Sequence, residues 1–213
     1  MHRQVLLPAV LFLSAMYGAA IPAPAVDIDQ STSKGPQTAV FAGGCFWCTE
    51  AVFEQLAGVS AVVSGYAGGD ARSAHYDMVS AGQTDHAESI EIAFDPAKIS
   101  YGKLLMVFFS VAHDPTQVNR QGPDSGRQYR SAIFCRDADQ KRVAEAYIKQ
   151  LNEEKAFSKA IATQVTMLKA FYPAEEYHQD FVKRNPGHPY VVANALPKLS
   201  KLKKQFPELL KRK

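Results

Sequence analysis

Between His86 and Phe94 the large apolar side chains fall on every second position: Ile90, Ile92 and Phe94 share one parity. Strict alternation of this kind makes a strand that buries one face only, the habit of antiparallel sheets. Asp95-Pro96 ends the strand. Tyr101, Leu104, Leu105, Phe108 and Ala112 then follow helical spacing, so a helix over residues 101–112 has one face to lay on that sheet. Upstream, residues 38–42 form a short apolar strand ended by Gly43-Gly44. A helix over residues 45–56 carries Phe46, Val52, Phe53 and Leu56 and stops at Gly58. Residues 59–66 are a β-branched strand closed by Gly68-Gly69. Downstream, a strand over residues 129–135 leads to a helix over 137–151, a strand over 162–168 and a last helix over 174–183. The core order β-α-β-β-α-β predicts an α+β fold of the split βαβ, ferredoxin-like kind. The expectation is a two-layer sandwich with a mainly antiparallel sheet and a C-terminal extension.

At 213 residues the chain is long enough for one domain with a sizeable core. Its net charge of +3 is local in origin, because residues 198–213 hold seven Lys/Arg and one Glu. The remainder has 17 basic and 20 acidic residues, which argues against a nucleic-acid surface. Three cysteines are too few for a disulfide scaffold. In the tail, Leu199, Leu202, Phe206, Leu209 and Leu210 alternate with lysines. This pattern suits a terminal helix lying on the domain with its basic face in water.

The N-terminus has the order of a secretory signal. His2 and Arg3 precede an apolar run over residues 5–20, followed by small residues. Cleavage after Ala20 (Gly18-Ala19-Ala20) or after Ala25 (Ala23-Pro24-Ala25) fits equally. The run is shorter than the roughly 20 residues of a spanning helix. The expected organisation is a signal peptide over residues 1–25, a linker over 26–37 and a catalytic domain over 38–213 that includes the basic tail. The protein is expected to be exported to the periplasm, the alternative being an anchor formed by an uncleaved N-terminal segment.

The most informative stretch is Gly43-Gly44-Cys45-Phe46-Trp47-Cys48-Thr49-Glu50. A cysteine where a strand turns into a helix feels free N–H groups and the positive helix end, both of which favour thiolate. Phe46 and Trp47 supply an apolar wall. Cys48 lies one turn on, with Cβ atoms about 5–6 Å apart. A disulfide wants about 3.5–4.5 Å, so closing one needs a modest unwinding, as suits a redox pair that opens and closes. A zinc site lacks its other ligands, since only Cys135 remains and the histidines are not spaced for it. A static disulfide would close too small a loop to stabilise much. A thioredoxin-like exchanger is a third reading, but the elements that follow do not repeat that pattern. Cys45 reads as a catalytic, redox-active residue.

Gly44-Cys45-Phe46-Trp47 resembles the signature of the A-type peptide-methionine (S)-S-oxide reductase (MsrA) family. The resemblance continues through Gly65-Tyr66-Ala67-Gly68-Gly69, Tyr76, His86-Ala87-Glu88, His113-Asp114-Pro115 and Arg120-Gln121-Gly122. It takes in Asp124, Gln128-Tyr129-Arg130-Ser131, His178-Gln179 and Asn185-Pro186, and spans roughly residues 38–207. It implies reduction of methionine (S)-sulfoxide, free or in proteins, without metal or flavin cofactor, with electrons from a thioredoxin-like protein; a monomer is the default expectation.

From the residues alone, Cys45 is the nucleophile. Glu88 shares the parity of the buried face, where burial would keep it protonated as a general acid; a solvent-facing strand end fits the local sequence as well. The resemblance makes Glu88 the acid. It likewise implies that Tyr76 and Tyr129 hydrogen-bond the sulfoxide oxygen, that Phe46 and Trp47 receive the S-methyl group, and that Asp124 lies near the site. A turn aspartate explains Asp124 equally from its neighbours Gly122-Pro123 and Gly126. His86, His113 and Arg130 read as supporting residues.

The sulfenic acid left on Cys45 needs a second thiol. Many family members use a cysteine in a C-terminal segment, and none follows Cys135 here. If Tyr129 and Cys135 share one strand they stand about 20 Å apart, which puts Cys135 out of reach when Tyr129 is at the site. Cys48 is then the expected resolving cysteine and Cys135 a small buried hydrophobe. A second departure is Asp85, where the family commonly has Gly; it either faces Glu88 or sits in solvent. The competing functions are a thiol–disulfide oxidoreductase acting on protein disulfides and a metal-holding binding protein.

Overall fold

The structure is a computed structural model that describes residues 21–29 and 35–212. Residues 1–20 of the expected signal segment and residues 30–34 of the expected linker lie outside the described residues. The sheet is built around β1 (Gln37–Gly43), β2 (Val59–Ala67), β3 (Ala87–Phe94) and β6 (Ser131–Cys135). A two-stranded ribbon of β4 (Arg120–Gln121) and β5 (Asp124–Ser125) stands apart from it. With β7 (Gln164–Met167) and β8 (Phe171–Pro173) at the edges, the strand order is β7-β6-β1-β3-β2-β8. All pairings in it are antiparallel except β6 with β7, which is parallel. This is a mixed α/β fold with a mainly antiparallel sheet, as the alternation on β3 requires.

The helices are α1 (Phe46–Phe53), α2 (Tyr76–Ser80), α3 (Tyr101–Val107), α4 (Ala138–Glu153), α5 (Phe181–Arg184) and α6 (Leu196–Gln205). The main core joins one face of the sheet, with Phe41, Ile90, Ile92 and Ile133, to Val52 and Phe53 of α1, Leu104 and Leu105 of α3 and Val143 and Tyr147 of α4. Small residues cover the opposite face, where Ala42, Ala67, Ala87 and Ala132 meet Val40 and Phe134. Ile90 stands opposite Phe41 of β1, and Glu88 stands opposite Tyr66 of β2. Glu88 therefore points to the helix side, level with the last residues of β1.

Three expected elements differ. The helix expected over residues 101–112 is α-helical only to Val107 and continues as a π-helical turn, Phe108–Ala112, with all five residues of that turn buried. The strand expected from Tyr129 starts at Ser131, because Arg127–Tyr129 is a 3-10 turn. The helix expected over residues 174–183 is broken. A 3-10 turn, Glu176–His178, is followed by extended Gln179 and by Asp180 at φ 51°, before α5 begins. The cause is the Gln179 amide, which accepts from the Ser64 N–H (2.9 Å) and donates to the carbonyls of Ser64 (3.0 Å) and Ala174 (2.9 Å). It replaces a peptide unit at the edge of β2, and a helix through Gln179 would pull it away.

The C-terminal tail lies on the domain. Leu202 is buried on α6 and Phe206 follows it into the core. The Lys211 N–H donates to the Gln55 carbonyl (2.9 Å), and the Leu209 carbonyl accepts from Ala57 (2.7 Å). The tail is thus stitched to the end of α1, the helix that carries both cysteines of the site. Among the described residues, no helix is long and apolar enough to cross a membrane.

Candidate active site

β1 delivers the chain to the site through Gly43 and Gly44. Gly44 has φ +85°, and a Cβ there would come within 2.5 Å of the Gln121 side chain on β4. Only glycine allows this turn and this approach together. Cys45 is the residue that opens α1, at φ −53° and ψ 121°. Its thiol is buried, 8% exposed, as is Cys48 one turn later. The Cys48 N–H donates to the Cys45 carbonyl over 3.2 Å.

The two thiols share one buried cluster at the start of α1, and their proton affinities diverge. Burial pushes Cys45 well above the usual thiol value, and the bond to Cys48 adds to this. Cys48 is lowered, first by its bond from Cys45 and further by the charge of Lys198. This corrects the expectation that the helix start would dominate Cys45. Desolvation acts against the helix start at Cys45 and raises its thiol in the resting pair.

Glu88 faces this pair from β3, 3% exposed. Its Oε2 accepts from the Phe46 N–H over 3.0 Å. Burial raises its pKa well above the carboxylate range, the Cys45 charge raises it further, and the Phe46 bond opposes both. Tyr76, which opens α2, is pushed up to about 12 by burial, with Glu88 and Cys45 contributing next. Tyr129 is raised too, by burial and then by Glu88 and Asp124. A neutral acid and two neutral phenols thus act on the same locality as the Cys45 thiol.

Phe46 and Trp47 form an apolar wall with residues that the sequence reading did not place at the site. The Trp47 indole stacks on Phe181 at 3.7 Å and 9°, and its Nε1 donates to Nδ1 of His178 over 3.1 Å. His178 lies 5.0 Å from the Phe46 ring and 4.3 Å from the Tyr76 ring. Since His178 accepts at Nδ1, its neutral ring carries the proton on Nε2. Glu175 fixes this corner by accepting from the Tyr66 hydroxyl (2.8 Å) and from the Tyr76 N–H (2.9 Å).

Asp124, on β5, borders a cleft of about 50 Å³ with Cys45, Gln121, Tyr190, Asn194 and Lys198. The Tyr190 hydroxyl donates to Asp124, and its presence lowers the pKa of both Cys45 and Cys48. Tyr190 is the main residue that sequence reasoning missed. Its only local sign was the apolar Pro189-Tyr190-Val191 run just before the basic tail.

The supporting residues bind backbone. Arg130 donates to the carbonyls of Asp85, His86 and Arg127, and His86 links Gly69 to the Asp70 carbonyl. His113, lowered to about 3 by burial, joins the Phe108 carbonyl to the Ser131 hydroxyl. Asp85 sits in solvent and pairs with Arg127 over 3.0 Å. Cys135 lies in the main core under α4, its thiol pushed up to about 11 by burial, outside the cluster that holds Cys45 and Cys48.

The family model for peptide methionine sulfoxide reductase matches residues 37–210. A peptide methionine sulfoxide reductase MsrA 2 of Synechocystis is 59% identical over 202 residues, 94% of each chain. One from Mesorhizobium japonicum is 53% identical over 186 residues, 87% of this chain and 95% of its own. Among solved structures, reduced Mxr1 from Saccharomyces cerevisiae superposes with a TM-score of 0.64 at 34% identity, covering 72% of this chain and 87% of its own. Methionine sulfoxide reductase A of Corynebacterium diphtheriae gives 0.63 at 32%, covering 73% and 77%. A family model that matches nearly the whole described domain, and relatives more than half identical over most of both chains, place the chain in the peptide methionine sulfoxide reductase family.

Proposed function

We propose that this enzyme reduces methionine (S)-sulfoxide, free or within proteins, to methionine as a repair of oxidative damage. The observation that carries the reading is the meeting of Cys45 with Glu88, a buried acid held by the Phe46 N–H over 3.0 Å. Phe46 and Trp47 receive the S-methyl group, and Tyr76 and Tyr129 donate to the sulfoxide oxygen. Glu88 gives its proton to that oxygen as the Cys45 sulfur attacks the sulfoxide sulfur. The hydroxyl then passes from the substrate sulfur to Cys45 as the bond between the two sulfurs breaks, so Cys45 becomes a sulfenic acid and methionine leaves with two more electrons than the sulfoxide had. The thiol proton of Cys45 replaces the one that Glu88 gave.

Cys48 then attacks the sulfenic sulfur, water departs and a Cys45–Cys48 disulfide remains. Its support is the shared cluster that holds Cys45 and Cys48 one turn apart, together with the location of Cys135 in the main core. A thioredoxin-like dithiol returns the pair to thiols by exchange. Within the sheet, the order β6-β1-β3-β2 and its antiparallel pairings support the finer reading of a split βαβ core. The charged start and apolar run of residues 1–20 support export to the periplasm.

The test is a single turnover with each sulfoxide epimer, without added reductant, counting thiols before and after. One methionine formed and two thiols lost, from the S epimer only, is the expected result. No methionine from either epimer, with the thiols still reactive, would sink the reading.

A further inference from the structure

Residues 21–29 run over α3 and α4 without helix or strand of their own, yet they are held by specific bonds. The Tyr147 hydroxyl on α4 donates to the Pro22 carbonyl over 2.6 Å. One turn on, the Gln150 amide clamps the backbone on both sides: Nε2 donates to the Ala23 carbonyl (3.0 Å), and Oε1 accepts from the Ala25 N–H (2.9 Å). Asp27 then caps the start of α3, its Oδ1 accepting from the Gly102 N–H over 2.9 Å. Ile21 and Ile28 pack against the main core at either end of these bonds.

Gly102 is an independent mark of this contact. It lies inside α3, where glycine is a poor helix residue. A Cβ there would come within 2.5 Å of Asp27 Oδ2 and 2.8 Å of its Cγ. The absence of a Cβ lets the Asp27 carboxylate reach the Gly102 N–H.

We propose that residues 21–29 are an N-terminal strap of the mature enzyme, and that export processing cuts the Ala20–Ile21 bond. The second half rests on the export reading given above. Small residues precede both candidate bonds, so local sequence does not choose between them. The folded domain does. A cut after Ala25 discards Ile21, Pro22 and Ala23 and removes the peptide that Gln150 clamps. Tyr147, buried in the core, loses the acceptor for its hydroxyl, and Gln150 loses both strap partners. A cut after Ala20 keeps every one of these bonds.

Two measurements on the full chain separate the claims. The chain is expressed in a secreting Gram-negative host, and the N-terminus of the periplasmic product is read by sequencing and intact mass. A product that begins at Ile21 is expected. One that begins at Val26, or an envelope-bound chain that keeps Met1, overturns the processing site, while a chain that keeps Met1 and stays in the cytoplasm overturns the export reading on which it rests. The strap is tested by the sign of Gly102→Ala. In the otherwise unchanged chain it lowers the thermal midpoint by about 2–6 °C. On an Asp27→Ala background it raises the midpoint, because alanine is the better helix residue once the carboxylate is gone. A rise in both backgrounds overturns the strap.

Discussion

The backbone N–H of Phe46 donates to Oε2 of Glu88 across 3.0 Å, so the first residue of α1 and the buried acid of β3 fix one another. A neutral carboxyl that accepts at one oxygen keeps its proton on the other, which leaves that O–H to face the substrate. The same bond ties the acid to the helix that carries the nucleophile. One hydrogen bond between distant segments thereby sets both the direction of the proton and its distance from sulfur.

Glu88→Gln keeps an acceptor for the Phe46 N–H and removes the acid. The rate of methionine formation in a single turnover should fall about 10²–10⁴-fold. Rapid-quench measurement across pH checks the cause. The raised pKa of Glu88 means that the active, protonated form is lost as pH climbs through it. The parent enzyme should show that alkaline fall and the variant should lack it. A variant as fast as the parent would remove Glu88 from the chemistry.

Cys48→Ser should release one methionine per enzyme and then stop, with a sulfenic acid trapped on Cys45 that dimedone labels. Cys135→Ala should turn over fully with a thermal midpoint a few degrees lower, since it leaves a small cavity in the main core. Continued turnover in Cys48→Ser, or arrest in Cys135→Ala, would reverse the assignment.

The parts of the molecule that could be read in advance are those set by neighbours in sequence. Alternation along β3 gave Glu88 the parity of the buried face, the resemblance chose that face over a solvent-facing strand end, and Gly43-Gly44 marked the turn that brings Cys45 to it. The Gln179 amide that breaks the last helix acts on Ser64, 115 residues away, and no local pattern announces it. His178 reaches Trp47 across 131 residues, and Tyr190 reaches Asp124 across 66. The proton balance of Cys45 was misread for a related reason. A helix start is local and favours thiolate, but desolvation depends on the whole chain, including the tail segment that supplies Val182, Val191 and Ala195.

Tyr190→Phe removes the hydroxyl that faces Asp124 and the two sulfurs. That hydroxyl lowers the pKa of both thiols, so each should rise in the variant. Alkylation of the pair by iodoacetamide at neutral pH should slow about threefold to tenfold, the loss of roughly one hydrogen bond. Thiol mapping by mass spectrometry gives the rate at each cysteine. Unchanged rates at both would mean that the phenol serves Asp124 alone.

Glu50 supplies a test of stability against pH. It lies buried on α1, where desolvation pushes its carboxyl up to about 7, with Glu54 and Asp180 adding to this and the Asp180 N–H opposing. Its pKa is higher in the folded than in the unfolded chain, so the folded form holds the extra proton. Stability from this group is then complete below about 4.5 and falls as pH rises through about 7. Glu50→Gln keeps the acceptor for the Asp180 N–H and has no proton to lose. Its thermal midpoint should drop less than the parent's between pH 5 and pH 8. The residual drop belongs to Glu54, also raised to about 7, and to Glu88. Equal drops in variant and parent would show that Glu50 reaches water at the end of α1 and titrates as an ordinary carboxylate.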